Sequence, residues 1–186
     1  SFEEYSTSDI SIFNSLYQLK EHQMLNSIGV SIYTNEQFEK VIYDDRIDLI
    51  QFPYNVFDND NKRKKLMILA KKYGKKLHAR SIFLQGLIFK DQNCLPNSLK
   101  EIKPYLEYLE NITNRFSISL VQIAFLYVLQ NKLLDKILIG IDSIKHLESN
   151  ITLINNIDTL SLKYDCIDAI NKIKVQNEDL LNPNKW

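Results

Sequence analysis

With 186 residues, 45% of them apolar and 25% charged, the chain has the length and composition of one globular domain and not of a disordered or fibrous polypeptide. Lys plus Arg equals Asp plus Glu at 23 each, so no bulk electrostatic pull exists toward nucleic acid or an anionic membrane, and neither is an expected partner. Cys94 and Cys166 have no CxxC spacing and no histidine in metal-ligand register, which argues against zinc and against a disulfide scaffold; no apolar run approaches the ~20 residues that span a bilayer, so a cytoplasmic protein is expected.

Ser8 or Asp9 caps a first predicted helix, in which Ile12, Phe13, Leu16, Tyr17 and Leu19 fall at helical spacing before it ends near His22. A strand over 27–33 follows, with Ile28-Gly29-Val30-Ser31 at its centre. Thr34-Asn35-Glu36-Gln37 then offers a capping box leading into Phe38, Val41 and Ile42. A second strand over 47–52 is stopped by Pro53. Asn59 to Tyr73 reads as a basic helix with Leu66, Ile68, Leu69 and Ala70 inside and Gly74 as its C′ residue; its run Lys62-Arg63-Lys64-Lys65 reads as a solvated outer face.

The third strand, 76–82, carries Leu77-His78-Ala79-Arg80-Ser81. Phe83 to Asn97 reads as an irregular loop before helices over 98–113 and 118–130, the second starting at Ser117 or Ser119. A strand over 136–141 leads into a helix at 143–156, with Ser143 as cap and Leu147, Ile151 and Ile154 on one side. A last helix is predicted over 164–176, then a polar tail to Trp186. Strands alternating with helices in ~30-residue units indicate βαβ topology and a parallel sheet, and the units present make about half of an eight-stranded barrel. In such folds the strand C-termini carry the chemistry. None of the 4 glycines falls in a GxGxxG or P-loop pattern, so any nucleotide is held in another way.

The stretches IGVSIYTNEQFEKVI (28–42), IDLIQFPYNVFD (47–58), ARSIFLQGLI (79–88), SLVQIAFLYVLQ (119–130) and ILIGIDSIKHLESNI (137–151) together resemble the C-terminal half of aldo/keto reductases. These are NAD(P)H-dependent oxidoreductases built on an eight-stranded β/α barrel. The resemblance implies an α/β fold of TIM-barrel type, here only its second half with extra C-terminal helices. It implies a single domain over 1–186, with the N-terminal half absent from this chain. It also implies reduction of a small-molecule carbonyl substrate to an alcohol, with NADP or NAD as cofactor. The family's catalytic Asp, Tyr, Lys and His come from the first four strands and their loops. His22, His78 and His146 lie in the wrong units to inherit a role, and no catalytic residue is expected here.

What the resemblance carries over is cofactor binding. Ser31 resembles the serine that hydrogen-bonds the nicotinamide carboxamide, and Gln51 the glutamine that completes that contact; Ile32 stands where many relatives have Asn. Arg80 stands where many relatives carry an aromatic stacked on the nicotinamide, and a guanidinium plane can stack there or reach a phosphate. Ser81, Phe83, Gln85 and Gly86 fall in the loop that wraps the pyrophosphate. Gly140, Ser143, Lys145, His146 and Asn150 resemble the adenosine-phosphate site at a helix N-terminus. The family often has Arg where this chain has His146, and Asp142 does not favour an extra phosphate, so NADP against NAD stays open. His78 reads as packed in the lumen below Arg80, and Tyr105, Tyr108, Phe125 and Tyr127 as helix packing. The alternative is a non-catalytic half-barrel, a nucleotide-binding or assembly module. In either case the open strand edges call for the missing N-terminal half, or for self-association, to cover them.

Overall fold

The computed structural model describes residues 1–6, 10–156 and 161–186. The expected caps Ser8 and Asp9 lie outside them. A four-stranded sheet, all parallel, runs in the order β1 (Gly29–Ser31), β2 (Leu49–Pro53), β3 (Lys76–Arg80) and β4 (Lys136–Ile137). The helices are α1 (Phe2–Ser6), α2 (Ile10–Glu21), α3 (Asn35–Ile42), α4 (Asp60–Lys72), α5 (Lys103–Phe116), α6 (Leu120–Leu129), α7 (Ile144–Asn155) and α8 (Tyr164–Asn171).

The strands alternate in burial. Val30, Ile50, Phe52, Leu77 and Ala79 are buried against the helical layer, as the Phe52 ring shows by sitting 4.9 Å from that of Phe38 on α3. Ser31, Gln51 and His78 occupy the other, half-buried face, and the pairing register puts them in one row with Lys136. Helix ends follow local chemistry. Thr34 with Gln37 and Ser119 with Gln122 form complete capping boxes, Asn59 caps α4, and Gly74 takes a φ of 72° just after it. Ser119 is therefore the cap of α6, while Ser117, left-handed at φ 53°, ends α5.

The starts of the strands are fastened twice in the same way. Both carboxylate oxygens of Asp48 accept from Lys20 Nζ at 2.6 Å, and one also accepts from the Ile28 amide at 2.8 Å. Asp135 does the same with Lys71 Nζ at 2.9 and 2.7 Å and the Leu77 amide at 2.7 Å. Lysines of the helical layer thus neutralise carboxylates that bind strand amides.

Several boundaries differ from those read in the sequence. Pro53 closes β2 in register with Arg80 instead of stopping the strand before it, because a missing N–H costs nothing where the next ladder bond comes from Tyr54 N to Arg80 O at 3.1 Å. β1 and β4 are shorter than expected, since each has a neighbour on one side only. After Leu138 N donates to Ala79 O, the chain leaves the sheet, and Leu138 and Ile141 are exposed. The 83–97 segment begins with a 3-10 turn, Leu84–Phe89, and a second such turn, Asn97–Ile102, precedes α5. α8 stops at Asn171, and the tail is not free: Leu180 and Leu181 are buried, and Trp186 Nε1 donates to Leu180 O at 3.2 Å.

Arg63 departs furthest from the sequence reading. Within the basic run its side chain is 0% exposed, because the loop after β2 brings Asp58 against it. The stripe on α7 departs in the opposite sense: Ile144 is 76% exposed, with Leu147, Ile151 and Ile154 also open. Among the described residues no single helix is long and apolar enough to cross a membrane, and none of their His, Cys, Asp and Glu side chains form a group of three or more suited to a metal ion.

Candidate functional site

A cleft of about 930 Å3 opens beyond the C-terminal ends of β3 and β4. One wall is the β3 exit, one the 3-10 turn that follows, and one the start of α7. Arg80, Ser81, Phe83, Gly86, Gly140, His146 and Asn150 all line it, so segments up to 70 positions apart in sequence converge on one space. Ile82, Gln85, Phe89, Val121, Leu138, Ile139, Asp142 and Ser149 complete the lining. The apolar members give the cleft a dry floor suited to an aromatic ring system.

The loop that forms the first wall is conformationally unusual. Ser81, Leu84, Gln85 and Gly86 all have positive φ, at 58°, 46°, 50° and 78°. Only glycine adopts that region freely, and each other residue held there costs on the order of 1 kcal/mol. Asn55, fully buried, helps to hold it. Its Nδ2 donates to Ser81 O at 3.1 Å while its Oδ1 accepts from the amides of Phe57 and Asp58. Asp58 in turn pairs bidentately with Arg63, at 2.6 and 2.7 Å, and Arg63 also donates to Asn35 Oδ1 at 2.8 Å and to the Tyr33 carbonyl. The loops after β1 and β2 are thereby tied to α4 through one buried guanidinium.

Tyr33 connects this support to the site. The Arg80 guanidinium lies over its ring, 4.2 Å from the centroid, and donates to Ser31 Oγ at 3.3 Å, Ser81 Oγ at 3.3 Å and Ile32 O at 3.2 Å. Arg80 thus reaches across the sheet from β3 to β1, which accounts for Ser31 lying beside the cleft and not in its lining. Gln51, half-buried, sits between Ser31 and His78 in register, and its side-chain amide has no hydrogen-bond partner among the described residues. His78 is half-buried in the same row; burial foremost, then Lys136, lowers its pKa and favours the neutral imidazole.

At the other wall Asn150 is only 8% exposed, yet its amide also has no partner among the described residues. Ser143 caps α7 by accepting from the His146 amide at 3.2 Å, and so supports this wall from outside the lining. Lys145 is exposed and stands outside the lining as well. Tyr33, Asn55, Asp58 and Arg63 were not singled out as functional in the sequence. The only local signal was the Asn-x-x-Asp turn after β2, since the contacts of Tyr33 and Arg63 span the fold. Tyr127, read as helix packing, stacks on Tyr54 with centroids 5.5 Å apart; burial foremost raises the pKa of both phenols, which bond to one another at 3.3 Å away from the cleft.

The aldo/keto reductase family model matches residues 3–172. No curated protein matches the chain. Solved structures with a similar fold include an aldo-keto reductase from Bacillus halodurans in its holo form, 17% identical with a TM-score of 0.64. That match covers 89% of this chain and 57% of the other. A thermostable aldo-keto reductase in complex with the inhibitor epalrestat is 20% identical with a TM-score of 0.60, over 87% of this chain and 53% of that one. An aldo-keto reductase enzyme from a Medee basin deep-sea metagenome library is 15% identical with a TM-score of 0.57, over 94% and 56%. The chain therefore spans little more than half the length of the structures it resembles.

Proposed function

The chain belongs to the aldo/keto reductase family, and from that premise we propose that its cleft binds NADH or NADPH as the cofactor-holding half of an oxidoreductase that reduces a small-molecule carbonyl to an alcohol. The observation that carries this reading is Asn150, a residue more than nine-tenths buried whose carboxamide has no partner among the described residues, on the wall of a cleft of about 930 Å3. No buried side-chain polar atom among the described residues lacks a partner, so the Asn150 amide atoms are open to the cleft, and a purine edge offers both a donor and an acceptor to them.

The residues present fit the rest of a dinucleotide. Gln51 has a free amide to meet the nicotinamide carboxamide, with Ser31 beside it once Arg80 yields its 3.3 Å contact. Gly86, in the loop that lines the cleft, has open space where a side chain would stand, so a pyrophosphate could approach the backbone there. Arg80 supplies a cation and a flat surface beside the nicotinamide. When bound, the reduced nicotinamide supplies the hydride. The proton for the new alcohol comes from groups outside these residues.

Binding tests this directly: NADH and NADPH are titrated against the protein and followed by calorimetry. Asn150→Ala and Gln51→Ala are each expected to weaken binding about tenfold, the order of one lost buried hydrogen-bonding group. Binding that neither substitution changes refutes the assignment.

A second reading, assembly through the uncovered side, has its own observation. Ile144, Leu147, Ile151 and Ile154 form an exposed apolar stripe on α7, and β1 and β4 each keep an unpaired edge within the described sheet. The occupant is another half-barrel, either the N-terminal half or a second copy of this chain.

A further inference from the structure

We propose that Asp142 makes this cleft select NADH over NADPH, its carboxylate accepting from the adenosine ribose hydroxyls and excluding a phosphate at that position. The proposal rests on the reading of the cleft as a dinucleotide site and concerns only its α7 end. That end is bounded by Asp142, His146, Ser149 and Asn150, and no lysine or arginine borders it. Arg80, the cation of the lining, stands at the β3 wall and is engaged by Ser31, Ser81, Ile32 and the Tyr33 ring.

Asp142 is exposed to the cleft and has no hydrogen bond or ion pair with any described residue, so nothing neutralises or occupies it. An ionised carboxylate is acceptor-only. A vicinal diol offers it two donors, the pairing that acidic residues make with ribose in dinucleotide sites generally. A phosphate monoester at the same place carries roughly −1.5 to −2 charge at neutral pH and has little proton to give. At hydrogen-bonding distance the two anions repel.

The helix terminus does not compensate. Ser143 already takes up the His146 amide at 3.2 Å, leaving fewer free N–H groups for an anion. Lys145, the basic residue beside it, stands outside the lining. Asn150 lines the same end of the cleft, and on the dinucleotide reading its amide meets the base, which leaves the adjoining ribose to Asp142.

Calorimetric titration of NADH and NADPH into the intact polypeptide tests the proposal, with a thermal melt to confirm that each variant is folded. NADH is expected to bind at least about tenfold more tightly, the order of a charged hydrogen bond gained against one repelled. Asp142→Ser is expected to weaken NADH, strengthen NADPH and close that gap, whereas Lys145→Ala leaves the ratio unchanged. NADPH binding as tightly as NADH, a ratio that Asp142→Ser does not move, or a selective loss of NADPH in Lys145→Ala overturns the proposal and leaves the dinucleotide reading standing. Failure of both dinucleotides to bind at all overturns the proposal and the dinucleotide reading together.

Discussion

Replacing Arg63 by Met removes a buried group that ties the loops after β1 and β2 to α4. Its side chain is 0% exposed and that of Asp58 2%, so water cannot enter to solvate the carboxylate left behind. Two bonds to Asp58, one to Asn35 and one to the Tyr33 carbonyl disappear together. Breaking a buried pair from one side costs about 3–5 kcal/mol, a large part of the 5–15 kcal/mol that holds a typical domain together. With a urea dependence of about 2 kcal/mol per molar, the unfolding midpoint should fall by roughly 2 M. Arg63→Lys should fall between, since an ammonium can meet Asp58 but cannot reach Asn35 and Tyr33 at once. Removing the stranded charge as well, in Asp58→Leu with Arg63→Met, should recover a good part of the loss. Urea unfolding followed by circular dichroism measures all three variants. A loss below about 1 kcal/mol in Arg63→Met, or a double variant no more stable than the single, would show that the pair is not what secures these loops.

Acid should weaken the fold through three carboxylates. Arg46 beside Asp44 holds its carboxyl down to about 2 from 3.8, and at Asp48 and Asp135 burial works to raise the pKa but the lysine and amide contacts overcome it and lower it. Folded values below the unfolded one mean that this stability is present above about pH 4 and drains away as pH falls toward 2. A urea midpoint that stays flat over that range, or a slope that Lys71→Met leaves unchanged, contradicts the assignment. The apolar stripe of α7 predicts association: sedimentation should show a pair or larger species, Ile144→Glu with Ile151→Glu should weaken it, and a monodisperse monomer would rule out assembly through this face.

The parts of the fold legible in the sequence were those written locally. Capping at Thr34, Ser119 and Ser143 depends on residues within one turn, and Gly74 marks its own left-handed position. Strand lengths were not, because an edge strand ends where its neighbour does, and the 136–141 run looks the same with or without a partner. Of the residues singled out at strand ends, the cleft collects Arg80, Ser81, Phe83, Gly86, Gly140, His146 and Asn150, while Ser31, Gln51, Ser143 and Lys145 stand outside its lining. The buried Arg63 was hidden inside a lysine-rich run, since its partners Tyr33 and Asn35 come from another β/α unit. The reach of Arg80 onto Tyr33 and Ser31 was hidden for the same reason: it depends on the register of three strands.

The paired lysine–aspartate fastenings at the starts of the strands bear on how this architecture can change over time. Asp48 and Asp135 fix where neighbouring strands begin by binding the Ile28 and Leu77 amides, at the end of the sheet away from the cleft. Register is thereby set by residues that no ligand touches. Insertions or substitutions in the 81–97 and 138–143 loops can then be tried without sliding one strand past another, a slip that would turn every side chain to the wrong face. Inheritance of the scaffold and invention at the mouth are separate problems for this chain, and natural variation can explore the second while leaving the first alone.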